Sequence, residues 1–277
     1  MPDSNSQISI DPLTPHIGAE VSNFQIAEPM DQSRFGQIHA ALMTHQVLFF
    51  RNQEMTLDQQ KDFARQFGEL HIHPGIPGPE GHPEVIAIHT DENSTRIAGE
   101  DWHTDVSCDA APPLGSILHM HTVPKTGGDT LFASMYAAYE ALSEPMQTML
   151  GGLTARHSGE MAYRGRYAYR GVDDADLVYP NNDHPVVRTH PVTKRKSLYV
   201  NRIFTEAING LTPTESDALL QFLYLHISKP EFQVRFRWQP GSVAFWDNRA
   251  VQHYAIWDYF PQTRSGYRVT VAGDPPY

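Results

Sequence analysis

The chain has 277 residues, of which 32 are acidic, 21 are basic and one is a cysteine. The net charge of -11 argues against nucleic acid as a partner, because a phosphate backbone would be repelled. A single cysteine, Cys108, excludes an intramolecular disulfide framework. The sequence has neither a secretory signal pattern nor an apolar run of roughly 20 residues, so we expect a cytoplasmic protein without a membrane anchor.

Hydrophobic periodicity together with capping and stop residues predicts helices, and short β-rich runs between turn residues predict strands. The predicted helices cover residues 31–44, 56–67, 137–150 and 213–226. The predicted strands cover residues 47–50, 85–88, 116–121, 198–201, 232–238, 242–246 and 266–271. Because no repeat or linker interrupts this pattern, we expect one domain over residues 1–277, mainly β, built as an antiparallel double-sheet roll with flanking helices.

Two polar stretches that are rich in turn residues interrupt the pattern of predicted elements. They cover residues 74–83 and 159–183. Loops of this length in a compact domain are usually functional or disordered, so both are candidate lids over a binding site.

A His-x-Asp tripeptide and a distant histidine suggest a metal site. Two histidines and one carboxylate on one face of an octahedral ion leave positions open for a cosubstrate and O2, as in non-heme Fe(II) oxygenases. His103 and Asp105 could share a strand face, with His253 on the returning strand of a hairpin. His89 and Asp91 have the same spacing, however, and strand geometry does not rank one pair above the other.

Two arginines follow the distant histidine. Arg264 and Arg268 are four residues apart in a predicted strand, so both guanidinium groups can face one pocket. A planar guanidinium matches a carboxylate with two hydrogen bonds, whereas the lysine ammonium is a point charge. The pair therefore indicates a pocket for anions.

Several sequence blocks together resemble one enzyme family. They are Ile-Gly-Ala-Glu at 17–20, Phe-Gly-Glu-Leu-His-Ile-His-Pro at 67–74, Trp-His-Thr-Asp at 102–105, Trp-Asp-Asn-Arg at 246–249 and Gln-His-Tyr-Ala at 252–255. With these blocks the chain is similar, almost end to end, to the taurine dioxygenase branch of the Fe(II)/2-oxoglutarate oxygenases. The resemblance implies a double-stranded β-helix core, that is, a jelly roll like that of clavaminate synthase.

The resemblance also implies roles for individual residues. It assigns Fe(II) to His103, Asp105 and His253 as the catalytic centre, and leaves His89 as a bystander. It assigns the distal carboxylate of 2-oxoglutarate to Arg264 and Thr130. The substrate residues that it implies are His73 and Arg268 for a sulfonate and Val106, Phe204 and Tyr163 for the remaining contacts.

The reaction implied is hydroxylation by O2 of the carbon next to the sulfonate of taurine, which releases sulfite and aminoacetaldehyde with succinate and CO2. From the family resemblance we also expect a homo-oligomer, either a dimer or a tetramer. The sequence departs from the family around the amine end of taurine, where Ile76 replaces a tyrosine, Gly99 an asparagine and Tyr163 a phenylalanine. Asn93 could supply the lost amide if its loop folds differently.

Two other functions remain open. The same chemistry could act on another anion, such as an alkyl sulfonate, an alkyl sulfate or an aryloxyacetate, because Arg268 would hold any of these groups. The chain could also be a metal-binding anion sensor without activity, although Arg264 argues for a cosubstrate. A zinc hydrolase fits less well, because no dedicated general base accompanies the ligand set.

Overall fold

The computed structural model describes residues 7–74, 76–166, 168, 171 and 173–277. Its helices are α1 Gln32–His45, α2 Leu57–Arg65, α3 Met135–Glu140, α4 Glu144–Leu150, α5 Gly159–Tyr163 and α6 Pro213–Ile227, with a 3-10 turn at Pro230–Phe232. Its strands are β1 Ser9–Pro12, β2 Ala19–Ser22, β3 Val47–Phe50, β4 Val85–Thr90, β5 Gly115–Thr122, β6 Thr130–Ser134, β7 Thr154–Ser158, β8 Asn181–Pro185, β9 Val187–Thr189, β10 Lys196–Leu198, β11 Thr205–Ile208, β12 Gln233–Phe236, β13 Ser242–Asp247, β14 Val251–Ala255 and β15 Arg264–Val271.

Two sheets form the roll that carries the site. The larger sheet has seven strands in the order β1-β2-β3-β13-β5-β15-β4, and all neighbours are antiparallel except β2 and β3. The smaller sheet has the order β12-β6-β14. A further three-stranded sheet, β11-β7-β8, and the β9-β10 pair lie outside this roll. The expected mainly β jelly roll is confirmed.

The core fills both faces of the large sheet. Successive side chains on β3 point to opposite faces, so Phe49 packs between the two sheets while Leu48 and Phe50 pack against α1 and α2. Phe49 stacks on Phe236 of the smaller sheet with ring centroids 3.9 Å apart. Strands buried on both faces explain why these runs are continuously apolar rather than alternating.

Capping residues fix the start of three predicted helices. Asp31 accepts from the backbone N–H of Arg34 at the start of α1. Thr56 forms a capping box with Gln59 at the start of α2, and Thr212 is capped in the same way at α6. These helices are confirmed to within two residues. None of the helices in the described part of the chain is long and apolar enough to cross a membrane.

The prediction of one helix over residues 137–150 was wrong. The chain forms α3 and α4 instead, and Ser143 begins the second helix with Pro145 in its first turn. Proline is favoured there but breaks the interior of a helix, because it lacks the N–H that the preceding turn requires. The proline was the available signal for the break.

Two predictions about strands also need correction. The strand predicted at 198–201 ends at Leu198. The predicted hairpin is a corner between sheets, because β13 pairs with β3 and β5 whereas β14 pairs with β6. The candidate lid 159–183 contains α5 and the start of β8, and its residues 167, 169, 170 and 172 lie outside the described residues, as does residue 75 of the other candidate lid.

Candidate active site

Two histidines face each other where β14, the strand after the corner between the sheets, meets the segment before β5. His103 and His253 form an isolated antiparallel bridge: the N–H of His103 donates to the His253 carbonyl at 3.1 Å, and the N–H of His253 to the His103 carbonyl at 2.8 Å. Their ring centroids are 4.1 Å apart. The reciprocal backbone hydrogen bonds therefore bring together two imidazoles separated by 150 positions in the chain.

The carboxylate of the predicted set comes from a turn and not from a strand. Residues 105–108 form the turn, and Val106 takes a left-handed φ of 49°. A β-branched residue rarely adopts this conformation, and such strain concentrates at functional sites. The turn directs Asp105 towards the histidines, with Oδ1 at 3.8 Å from His103 Nε2 and 4.0 Å from His253 Nε2.

Burial and charge set the protonation of these three side chains. Burial lowers the pKa of His103 and, more strongly, that of His253. Burial opposes ionisation of Asp105, but the positive charge of Arg268, with smaller contributions from the polar side chains of His253, His103 and Ser116, outweighs it and holds the carboxyl pKa below its usual range. Neutral imidazoles and an ionised carboxylate are the forms that bind a metal ion. The ligand atoms all lie within 4.8 Å of one another.

Hydrogen bonds to their side chains orient two of the three ligand candidates, His103 and Asp105. His103 Nδ1 lies 2.9 Å from the carbonyl of Asp101, so Nε2 is left to face the site. Ser116 on β5 donates to Asp105 Oδ2 at 2.7 Å. Asn248, in the turn after β13, donates from Nδ2 to Ser116 Oγ at 3.1 Å and accepts from the Asp105 backbone N–H at 3.3 Å. Neither Ser116 nor Asn248 carried a signal for this role in the sequence.

Arg264 and Thr130 lie together in one wall of the cavity. Arg264 donates from Nε to the carbonyl of Gly128 at 3.1 Å, and its Nη2 is 3.5 Å from Thr130 Oγ1. Trp238 Nε1 donates to the same hydroxyl at 2.9 Å, and the Trp238 ring lies under the guanidinium at 5.5 Å. The Thr130 hydroxyl accepts from both neighbours and keeps its own proton for a ligand. Trp238 carried no signal in the sequence.

Arg268 lies between the ligand set and the remaining cavity. Its Nη1 donates to Asp105 Oδ1 at 2.5 Å, whereas its buried Nε has no partner in the described part of the chain. Arg264 and Arg268 both line the cavity, as their spacing on β15 predicted. One guanidinium therefore contacts a metal-ligand candidate and keeps a donor for a second anion.

The other predicted substrate residues line the same cavity of about 820 Å³. The Tyr163 ring meets the His73 ring at 5.1 Å and the Phe204 ring at 5.6 Å, both edge to face. Val106 and Phe204 are buried in the apolar cluster that borders this cavity. All ten candidate site residues thus line one cavity. Eight of them lie within the 181 positions from 73 to 253, and Arg264 and Arg268 lie on β15.

The positions that depart from the family pattern also lie at the cavity. Ile76 contributes an apolar wall. Gly99 has a φ of 77°, and a Cβ there would lie 2.8 Å from His103 Cε1, so a larger residue would displace a ligand candidate. Asn93 is exposed and does not line the cavity, so the idea that it replaces the lost amide was wrong. The competing His89 is exposed on β4 and contacts Ser265.

The sequence and the fold match one family. Residues 9–270 match the family model described as "Taurine catabolism dioxygenase TauD, TfdA family". The chain belongs to this family. It is 36% identical to an alpha-ketoglutarate-dependent sulfate ester dioxygenase of Pseudomonas putida, over 98% of this chain and 91% of that protein. It is 37% identical to an alkylsulfatase of Acinetobacter baylyi, over 97% and 86%. A taurine dioxygenase structure from Burkholderia xenovorans superposes with a TM-score of 0.84 at 40% identity, covering 98% of this chain and 93% of that one.

The cofactors of this family fit the residues present. TauD-family dioxygenases use Fe(II), 2-oxoglutarate and O2. Two neutral imidazoles and one carboxylate on one side of an ion leave open the coordination positions that this chemistry requires. Arg264, buried and paired with no carboxylate among the described residues, suits the distal carboxylate of the cosubstrate. The chain is therefore a 2-oxoglutarate-dependent dioxygenase by family and by donor set.

Proposed function

We propose that this enzyme oxidises the carbon next to a sulfur oxyanion in substrates whose organic tail is uncharged, such as alkyl sulfates and alkyl sulfonates. The observation that carries the proposal is the composition of the cavity. An arginine stands beside the metal-ligand candidates, and the walls beyond it are mainly apolar. The names of the relatives, which include sulfate ester and sulfonate dioxygenases, support this substrate class.

In this proposal His103, Asp105 and His253 hold Fe(II), while Arg264 and Thr130 hold the distal carboxylate of 2-oxoglutarate. The bound iron couples oxidative decarboxylation of 2-oxoglutarate to hydroxylation by O2. The protein positions the reactants and excludes water. His103, Asp105, Arg264 and Thr130 are already held in place by hydrogen bonds to neighbours, so these groups need little reorganisation when ligands bind.

Arg268 binds the sulfur oxyanion in this proposal. Its Nη1 donates to Asp105 and its Nε has no partner among the described residues, so an oxyanion that accepts from Nε would be held beside the metal-ligand candidates. His73 lines the same cavity and contributes a second polar contact. The carbon attached to the head group is then the part of the substrate nearest to the oxidising centre, which explains the expected site of hydroxylation.

The tail binds against Ile76, Ala162 and Phe204, which are buried. Among the described lining residues Asp105 is the only carboxylate, and Arg166 adds a positive charge that pairs with Glu100 at 2.8 Å. An ammonium group, as in taurine, would lose its hydration without gaining a counter-charge. The cavity therefore suits an alkyl chain better than an aminoalkyl chain.

A matched pair of substrates tests the proposal. Propane-1-sulfonate and taurine have the same head group and nearly the same length, but one ends in a methyl group and the other in an ammonium group. Substrate-stimulated succinate formation should show a kcat/KM at least about tenfold higher for propane-1-sulfonate, since burying an unpaired ammonium costs more than 1.4 kcal/mol. A preference for taurine would contradict the apolar-tail proposal and support the prediction made from the family resemblance.

Wider assays separate the remaining alternatives. Alkyl sulfates should yield an aldehyde and sulfate, whereas alkyl sulfonates should yield an aldehyde and sulfite. Turnover of an aryloxyacetate alone would favour the carboxylate alternative, and no substrate-stimulated succinate with any member of the panel would favour an anion sensor. The single domain over residues 1–277, the cytoplasmic location and the homo-oligomeric state stay predictions.

A further inference from the structure

A second group of polar side chains is buried behind the turn that carries Asp105. Ser107 in this turn accepts from Asn201 Nδ2 at 3.0 Å, and its hydroxyl lies 2.9 Å from His157 Nδ1. The His157 ring stacks on Tyr199 with centroids 5.6 Å apart. Arg188, on β9, packs against the same Tyr199 ring at 5.0 Å. None of these residues lines the active-site cavity.

Arg188 is a buried cation without a carboxylate partner in the described part of the chain. It is 1% exposed, and its one hydrogen bond there runs from Nη2 to the backbone carbonyl of Asp274 at 3.3 Å. Its Nε and Nη1 make no hydrogen bond within the residues that the structure describes. A fully buried guanidinium without a counter-charge is strongly unfavourable, and its chemistry does not allow it to lose the proton. Its surroundings must therefore supply negative charge.

The groups around Arg188 are donors as well. The Tyr199 hydroxyl lies close to the Arg188 guanidinium, and neither this hydroxyl nor the buried His157 Nε2 has another partner among the described residues. Burial raises the pKa of Tyr199 despite the nearby Arg188 charge, so the phenol keeps its proton. Burial lowers the pKa of His157 to about 3, so this ring is neutral. A hydroxyl has one proton and two lone pairs, so Ser107 can accept from Asn201 and still donate to His157 Nδ1, in the tautomer that carries the His157 proton on Nε2.

We propose that Arg188 and Tyr199 form a binding site for a small inorganic anion of chloride size, with the His157 ring as a third donor at its edge. Arg188 Nε and Nη1 and the Tyr199 hydroxyl would donate to the anion. The exposed fractions of these side chains are 0–3%, so an anion held among them would be shielded from solvent, which favours a small inorganic ion over an organic acid. A single acceptor with negative charge would satisfy the unpaired donors and the charge of Arg188 together.

The site joins four parts of the fold behind the metal ligands. His157 lies on β7, Arg188 on β9 and Tyr199 directly after β10, and Ser107 connects them to the turn of Asp105. An anion held there would stabilise this junction without touching the substrate. We therefore expect the anion to stabilise the folded state and to take no part in the reaction at the iron.

Bromide provides a direct crystallographic test. Crystals of the full chain grown in sodium bromide should show an anomalous bromine peak within hydrogen-bonding distance of Arg188 Nη1 or Nε and of the Tyr199 hydroxyl. The same peak should be absent in crystals of Tyr199→Phe or much weaker. Ordered water without a bromine signal at Arg188 in the wild-type protein would overturn the proposal.

Thermal unfolding in solution gives a second, independent readout. Chloride or bromide, compared with gluconate at equal ionic strength, should raise the Tm of the wild-type protein. Tyr199→Phe keeps the ring packing and removes one donor, so its apparent halide affinity should fall about tenfold, as expected for one hydrogen bond to a charged group. Arg188→Met should lose the halide response.

Two control variants identify the site that responds. Arg268→Met removes the anion-binding arginine of the active site, and Arg156→Met removes an exposed arginine that pairs with Asp183. Both should keep the wild-type halide response. A response that disappears with Arg268→Met and persists with Arg188→Met would place the anion in the active site and contradict this proposal, whatever the substrate of the enzyme is.

Discussion

The side chain of Asp105 combines two roles that its surroundings make compatible. It faces two imidazoles, and its Oδ1 also accepts from Arg268 at 2.5 Å. The guanidinium is the main group that keeps this buried carboxylate ionised, because its positive charge, together with smaller contributions from neighbouring side chains, outweighs the cost of burial. The same guanidinium links the metal-ligand candidates to the place proposed for the substrate head group.

Replacing this carboxylate tests the ligand assignment. Asp105→Ala removes one of three ligands and should lower Mn(II) affinity by more than about 100-fold, since even indirect changes at such sites cost 10–100-fold. Substrate-stimulated succinate formation should be lost. Metal binding can be followed by electron paramagnetic resonance, with circular dichroism to show that the variant folds.

Asp91→Ala provides the matched control, since Asp91 belongs to the second His-x-Asp tripeptide and lies at the surface. It should retain the Mn(II) affinity and the activity of the wild-type protein. If Asp105→Ala kept both properties, or if Asp91→Ala lost them, the assignment to Asp105 would be wrong.

Among the elements, the corner between β13 and β14 has the largest influence on the site. Asp247 at the end of β13 is buried between Arg249, with Nη2 at 2.7 Å, and His190, with Nε2 at 3.0 Å. This fixes the turn that carries Asn248, and β14 then delivers His253. The corner thus sets the position of one ligand directly and of Asp105 through hydrogen bonds.

The side chain of Asn248 should therefore position the metal ligands. Asn248→Ala leaves the Trp246 Nε1–H, which donates to Asn248 Oδ1 at 2.9 Å, without its partner. We expect the free energy of unfolding to fall by about 1–3 kcal/mol for each buried polar group that loses its partner. We expect Mn(II) affinity to fall by about 10–100-fold, as for other groups that orient metal ligands.

Urea unfolding and Mn(II) titration measure these two effects. Asn93→Ala, at an exposed position outside the cavity, should change neither quantity. Unchanged metal affinity in folded Asn248→Ala would show that the turn supports the fold but does not position Asp105.

Over the whole molecule, buried neutral histidines make stability depend on pH. Burial lowers the pKa of His157 to about 3, and it also lowers the pKa of His184 and His226. An unfolded histidine titrates near 6.5. Below this pH the unfolded chain binds protons that the folded protein does not, so the stability that these groups contribute is lost as the pH falls.

The expected size of this effect can be measured. Each such imidazole lowers the free energy of unfolding by up to about 1.4 kcal/mol per pH unit below 6.5. His157→Asn should reduce the slope between pH 6.5 and pH 5 by about this amount per unit, measured by urea unfolding with a chelator present. His89→Gln, at an exposed position, should keep the wild-type slope, and an unchanged slope in His157→Asn would contradict the explanation.

Much of this protein could be predicted from local features of the chain. Capping residues such as Thr56 and Thr212 mark helix starts, because their hydrogen bonds reach only three residues along the chain. The β15 spacing predicted that Arg264 and Arg268 share a pocket, because alternation along a strand is a local property. The family resemblance then chose His103 over His89, which the spacing of the residues could not do.

Other features depended on contacts between distant parts of the chain. Strand geometry suggested how His103 and Asp105 could share an ion, but a turn with Val106 at positive φ does this in the structure. The hydrogen bond from Thr104 Oγ1 to the Asn248 carbonyl joins residues 144 positions apart, and no local pattern encodes such a contact. Arg188 is a second example. The sequence shows an arginine at this position, but only the packing of the surrounding elements leaves its guanidinium buried without a carboxylate partner among the described residues.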